Sequence, residues 1–142
     1  MNQTTLTKQE AINHRWFQAS AKGVVLGHLA VRIASVLMGR VRPDWTPHTD
    51  AGDFVVVTDV EGLVVTGNKA EGKIYKFHSG YMGGLTELSF ADLHAKKPEQ
   101  VLQLAVKRML PKSIQGRNQL KRLKIYKGAA HPHAAQSPAA LP

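Results

Sequence analysis

The sequence predicts an α/β protein with a parallel sheet, and three observations lead there. Residues 54–58 (FVVVT) form a continuous β-branched apolar run, not an alternating one, which marks a strand buried on both faces. Upstream, Leu26, Leu29, Ala30, Ile33 and Leu37 recur at the spacing of one helical face. A short apolar stretch at 16–19 precedes that helix, so strand, helix and strand follow one another as in a βαβ crossover, whose strands run parallel.

Taken in order, residues 1–12 are polar and rich in Thr and Gln, and are expected to form a flexible N-terminal arm. A single α/β domain is expected over 13–127. The helix begun at Leu26 should stop at Gly39, which suits a left-handed cap. Residues 40–53, with two prolines and a glycine, read as a loop. Residues 63–66 (LVVT) resemble 54–58 and are expected to be a further strand. The stretch 67–84 mixes lysines with aromatics and ends in glycines, as an exposed loop or ribbon would. Ser89 and Asp92 have the spacing of a capping box and open a short helix. Pro98 ends that helix and starts the next, which should run to about Leu110 with Val101, Leu102, Ala105 and Met109 facing inward. Residues 128–142, rich in Ala and Pro, are expected to be an extended C-terminal tail lying along something else.

Charge is distributed unevenly. The chain of 142 residues has a formal net charge of +9, yet its last acid is Glu99. Residues 106–127 hold Lys107, Arg108, Lys112, Arg117, Lys121, Arg122, Lys124 and Lys127 with no Asp or Glu among them. A solvated basic face is the plain alternative. Against it, Leu110, Ile114, Leu120, Leu123, Ile125 and Tyr126 are interleaved with the cations, so the segment should be folded. Arginine and lysine are mixed, suiting both bidentate and point-charge contacts to phosphate. Pro111 and Gly116 break the segment into short pieces able to follow a curved ligand. A basic surface of this kind points to nucleic acid.

Other chemistries fare less well. With no cysteine, disulfides, thiolate metal sites and Cys nucleophiles are excluded. No apolar run nears the roughly 20 residues of a membrane helix, and the start MNQTTLTKQE lacks the apolar core of a secretory signal. A soluble, cytoplasmic protein with no membrane partner is expected. Residues 67–73 (GNKAEGK) have the spacing of a phosphate-binding P-loop and follow a valine-rich run, which leaves a nucleotide-binding enzyme as the alternative reading. However, Ile74 stands where Ser or Thr should ligate magnesium, and IYKFHSGYMGG is ill suited to the helix that must follow. Seven histidines include the close pair His131 and His133, but no converging third and fourth ligands are apparent, so no metal is expected. His48, Asp50 and a neighbouring Thr46 or Thr49 could form a triad only by convergence that one loop does not supply. No catalytic residue, cofactor or small-molecule substrate is therefore expected. Trp16 reads as core, whereas Tyr75 and Phe77, alternating with Lys73, Lys76 and His78, read as a wet face able to stack on bases. A DNA-binding module is disfavoured by the absence of a helix-turn-helix pattern.

Several stretches together resemble one family: GVVLGHLA (23–30), TPHTDAGD (46–53), VTGNK (65–69), HSGYMGG (78–84), AVKRMLPKSIQGR (105–117) and KRLKIYKGAAHPHAAQ (121–136). In this order and spacing the chain is similar to bacterial large-subunit ribosomal protein thirteen over about residues 13–137. VKRMLP followed by Gly-Arg is the most specific signature. The resemblance implies a three-layer α/β/α fold with a mainly parallel sheet of about four strands. It further implies binding to large-subunit ribosomal RNA beside neighbouring ribosomal proteins, a part in early subunit assembly, and no enzymatic activity. Lys107, Arg108, Lys112 and Arg117 match the basic positions of the signature. Lys121, Arg122, Lys124 and the tail through His131 and His133 match the basic C-terminal segment, and Gly67, Asn68 and Lys69 match the TGNK turn. His28 departs from the family's usual Arg. The expected RNA-binding face joins the 69–84 ribbon (Lys69, Lys73, Lys76, His78, Tyr81), the 107–127 segment through Lys127, and Arg40 with Arg42.

Overall fold

The computed structural model describes residues 7–142. Its centre is a four-stranded sheet in the order β5-β2-β1-β6, formed by β1 (Trp16–Ser20), β2 (Phe54–Thr58), β5 (Leu123–Ile125) and β6 (Ala139–Ala140). All three strand pairs are parallel, with Trp16 opposite Phe54 and Ser20 opposite Thr58. The fold is α/β, as the sequence predicts. Because β2 is internal, Val55, Val56 and Val57 are fully buried, which is why this strand reads as an unbroken apolar run.

The connection from β1 to β2 carries α1 (Leu26–Leu37), whose buried stripe includes Leu26, Leu29, Ala30, Ile33 and Leu37. Gly39 follows it with φ +79°, the left-handed conformation expected of a helix stop. Gly52 is needed for a different reason: a Cβ there would lie 1.8 Å from the Leu37 carbonyl oxygen, so the returning loop can touch the helix end only without a side chain. Against α1 packs α4 (Pro98–Met109), begun by Pro98 and anchored by Val101, Leu102 and Val106. The inward stripe differs from expectation at its end. Val106 is buried and Ala105 packs half-buried against the core as expected, whereas Met109 is exposed; Ala105 and Met109 both border a cleft described below. Before α4, α3 (Phe90–Lys96) is capped as predicted: Ser89 Oγ accepts from the Asp92 N–H at 3.1 Å and its hydroxyl donates to the Asp92 carboxylate at 2.7 Å.

Residues 63–66 are not a strand. Only Val64 bridges in parallel to Val25, its N–H donating to Val24 O at 3.1 Å and its carbonyl accepting from Leu26 N–H at 2.9 Å. The partner segment turns into α1 at Leu26, so no ladder can extend. A one-turn helix α2 (Lys69–Gly72) follows, then an antiparallel hairpin of β3 (Ile74–His78) and β4 (Leu85–Ser89), which forms a second, two-stranded sheet. This is the ribbon expected from the lysine and aromatic alternation. One detail of it is corrected: Tyr75 is 2% exposed and belongs to the core, not to a wet face.

The basic segment contains two elements not foreseen, α5 (Ile114–Lys121) and the edge strand β5. Ser113 caps α5 by accepting from the Gly116 N–H at 3.2 Å. Gly116 allows the first turn to sit on Pro111, whose carbonyl oxygen a Cβ would meet at 1.9 Å.

Both ends of the described chain dock on this body. In the segment expected as a flexible arm, residues 1–6 lie outside the described residues. Residues 7–12 include a 3-10 turn at Gln9–Ala11 and a buried Ile12, and the Thr7 hydroxyl donates to Asp44 O at 3.0 Å. The tail is extended and lies along β1, pairing through Ala139 and Ala140. The face of the sheet away from α1 presents Trp16, stacked on Phe54 at 4.4 Å, and meets the tail at His133. That imidazole hydrogen-bonds the Tyr126 hydroxyl at 2.8 Å.

Candidate nucleic-acid interface

The end of α4 is where the cations converge. Adjacent residues on a helix point about 100° apart, and Lys107 and Arg108 use that angle to enter two different hollows. Arg108 lines a cleft of about 240 Å³ together with Lys69, Lys73, Thr66, Tyr75 and the start of α1 at Gly27. Lys107 lines a groove of about 320 Å³ with Lys112 and Arg117, over an apolar floor of Leu110, Pro111 and Leu120. Pro111 also borders a third hollow of about 170 Å³ that contains Arg40 and Trp45. There the Arg40 guanidinium lies 5.5 Å from the Trp45 ring centroid. Three hollows thus follow one another around α4 and α5, and together they carry seven cationic side chains.

The electrostatics of this track follow from the sequence. Among the described residues none of those seven cations forms a salt bridge, and four of them, Lys107, Arg108, Lys112 and Arg117, lie in a stretch with no acid of its own. Crowding is tightest in the first cleft. Burial pushes the Lys73 ammonium below the ordinary lysine value, and the positive charges of Arg108 and Lys69 push it the same way. Burial likewise raises the Tyr75 phenol above its ordinary value, with Arg108 opposing. Lys69 Nζ donates to Thr66 Oγ1 at 3.4 Å, and Lys73 Nζ lies 5.5 Å from the centre of the Tyr75 ring.

Two expected members leave the set. Arg42 is only 10% exposed and grips Asp53, with NH2 3.0 Å from Oδ1 and Nε 3.3 Å from Oδ2. It also donates to the Asn13 carbonyl. Arg122 forms a bidentate pair with Asp50, at 2.8 and 2.7 Å, with both side chains 14% exposed. Both guanidiniums are engaged by carboxylates of the 40–53 loop: Arg42 braces that loop on itself and on Asn13, and Arg122, the C-cap of α5, ties the loop to the end of α5. Asp50 is therefore engaged across 72 residues of sequence rather than in a local turn or triad.

The remaining expected residues lie off the track. Lys76 and Glu87 face each other across the hairpin at 2.7 Å, both well exposed, so solvent screens the pair. His78 Nδ1 accepts from the Gly80 N–H at 2.9 Å, and Tyr81 stands exposed at the hairpin tip beside Met82. Lys121 ends α5, Lys124 lies half-buried on β5, and Lys127 is exposed just beyond it. His131 and His133 sit against Tyr126 and Trp16 in an aromatic cluster, with His133 N–H donating to His131 Nδ1 at 3.2 Å.

Sequence reading missed the first cleft as a site. Its three cations, Lys69, Lys73 and Arg108, were expected to bind RNA, but their convergence with Thr66, Tyr75 and the start of α1 has no signal in the sequence beyond the glycine-lysine spacing at 67–73. That spacing does not build a P-loop. Lys73 is followed at Ile74 by strand β3, and the helical turn before it spans only Lys69–Gly72. Among the described residues no group of three or more His, Asp or Glu side chains is placed to hold a metal ion, and no helix is long and apolar enough to cross a membrane.

The family described as Ribosomal protein L13 matches residues 14–132. The chain is 52% identical over 141 residues to the large ribosomal subunit protein uL13 of Thermosipho africanus, covering 99% of this chain and 95% of that protein. It is 49% identical over 138 residues to uL13 of Thermotoga petrophila, covering 97% and 93%. Over 135 residues it is 52% identical to uL13 of Coxiella burnetii, covering 95% of each.

Proposed function

The chain belongs to the ribosomal protein L13 family, and from that premise we propose that it binds large-subunit ribosomal RNA along the track of three hollows and helps the subunit assemble early. As a family member it is a structural protein of the large ribosomal subunit, not an enzyme, and its place is the cytoplasmic ribosome. The observation that supports the RNA reading is the run of seven unpaired cations around α4 and α5. An RNA helix hides its major groove from side chains, so the contacts are to phosphates, 2′-hydroxyls and a few unstacked bases. Trp45 under Arg40 and the apolar floor of the second groove suit such bases. Lys76, His78, Tyr81, Lys121, Lys124, Lys127, His131 and His133 extend the surface outward, toward further RNA and neighbouring ribosomal proteins.

Counterion release gives the test. Seven phosphate contacts at about 0.7–0.9 each predict a slope of log K against log salt of about −5 to −6, a loss of about 10³–10⁴ in affinity from 50 to 200 mM. Filter binding to a large-subunit ribosomal RNA fragment, with duplex DNA as competitor, measures it. A flat salt response, or equal displacement by duplex DNA, refutes the reading. In a melting experiment Mg-ATP should raise the transition no further than inorganic phosphate at the same concentration, whereas for a nucleotide-binding enzyme it would.

A further inference from the structure

We propose that the cleft between the start of α1 and the end of α4 is a socket for one phosphate group, gripped by Lys69, Lys73 and Arg108 and by a hydrogen bond from the buried Tyr75 hydroxyl. Resting on the RNA reading above, the proposal takes the phosphate to be a backbone phosphodiester drawn into the cleft.

Several independent features select this hollow from the three. Tyr75 is 2% exposed, lines the cleft, and its hydroxyl has no hydrogen-bond partner among the described residues. A buried donor left unpaired costs free energy, so its persistence in a polar cleft points to a partner that arrives from outside. No carboxylate lines the cleft. Beside the apolar Val25, Leu26, Val65, Ala105 and Met109, its polar side-chain groups are three cations, the Thr66 hydroxyl and a phenol, so a polar ligand must supply anionic oxygens. The N-cap of α1, Val25, offers no side-chain cap, and the first turn runs through Gly27 at the cleft wall. Unsatisfied N–H groups and the positive end of the helix dipole favour an anion there. Burial first, and then the positive charges of Arg108 and Lys69, hold the Lys73 ammonium below its ordinary value, and the same anion relieves the repulsion among the three cations. A volume of about 240 Å³ admits a phosphate group with its ester links but not a stacked nucleotide pair.

In the free state the Lys73 ammonium lies over the Tyr75 ring. Phosphate entering the cleft draws that ammonium off the ring face and opens the phenol to one non-bridging oxygen. The glycine-lysine spacing at 67–73 then has a physical meaning without a P-loop: α2 sets Lys69 and Lys73 one turn apart on the same rim.

The test uses the full chain and two probes, inorganic phosphate and a short single-stranded oligoribonucleotide, against chloride at matched ionic strength. Amide and side-chain NMR shifts of Gly27 and Lys73 report binding. Tyr75→Phe removes only the hydroxyl, so in chloride it should melt no lower than the wild type, while binding phosphate about tenfold more weakly. Lys73→Met should weaken phosphate by at least about as much, and Lys96→Met, exposed at the end of α3 and outside all three hollows, should leave it unchanged. If Tyr75→Phe binds both probes as tightly as wild type, or if phosphate shifts Lys112 and its neighbours as strongly as Gly27, the socket is refuted. Competition separates the sources of the phosphate. An oligoribonucleotide that displaces inorganic phosphate supports the backbone assignment, and failure to displace it overturns that assignment. A wild-type chain that binds phosphate in the cleft but no ribosomal RNA fragment refutes the RNA reading alone.

Discussion

Replacing Arg122 by alanine separates a structural cation from a binding one. Arg122 NH1 and NH2 hold the Asp50 carboxylate at 2.8 and 2.7 Å, NH1 also reaches the Gly52 carbonyl at 3.2 Å, and the guanidinium lies 6.0 Å from the Phe54 ring centroid. Removing one partner of a buried pair costs about 3–5 kcal/mol, because the other charge is left unpaired. Both side chains here keep 14% of their exposure, so water can reach Asp50 and the lower end, about 3 kcal/mol, is expected. For a chain of this size that corresponds to a fall of about 10 °C in melting temperature. Urea unfolding followed by far-UV circular dichroism measures the loss, and a double-mutant cycle with Asp50→Ala should return a coupling of about 2 kcal/mol or more. The matched comparison is Arg117→Ala on α5, expected to change stability by less than about 0.5 kcal/mol while reducing the salt slope of RNA binding by about one. Arg122→Ala should leave that slope unchanged. Wild-type stability in Arg122→Ala, or a reduced salt slope without destabilisation, would show that the arginine contacts RNA and that the ion pair is incidental.

Two further expectations follow from glycine geometry and from the first cleft. Gly52→Ala drives a Cβ into the Leu37 carbonyl oxygen and should destabilise by at least about 3 kcal/mol. Gly72→Ala, with open space around its Cβ and helical neighbours, should be neutral or raise stability by about 0.5–1 kcal/mol; thermal melting distinguishes the pair. In alkaline titration followed by phenolate absorbance, Tyr75 should ionise above the ordinary tyrosine value. Its folded pKa is raised, so the folded state holds the proton longer than the unfolded chain, and this contribution to stability is lost as pH rises past about 10. Lys73 acts with the opposite sign. Its folded pKa is lowered, so stability from this group grows as pH approaches the ordinary lysine value of about 10.4. Tyr75→Phe and Lys73→Met should each abolish one of these slopes in pH-dependent urea unfolding.

What the chain alone determines is local and periodic. The FVVVT run forms the internal strand it predicts, although the similar LVVT run does not. The stripe from Leu26 to Leu37 forms the buried helix face its spacing predicts, and the stretch after Glu99, with no acid of its own, carries most of the net positive charge. Short caps are legible for the same reason: Ser89 and Asp92 act within one turn. Ser113 caps α5 in the same local way, but Pro111 and Gly116 beside it read as breaks in the chain. Tertiary structure decides which cations are free. Arg42 and Arg122 look like their neighbours in sequence, yet Asp53 and Asp50 claim them across 11 and 72 residues. Likewise Tyr75 alternates with lysines as a surface residue would, but the hairpin packs it inward beneath Lys73. Ion pairing falls off with distance in space, and distance along the chain does not reveal which charges a fold will bring together. The sequence therefore sets how much positive charge this surface carries, and the packing of α4, α5 and the 40–53 loop sets where it is offered to a ligand.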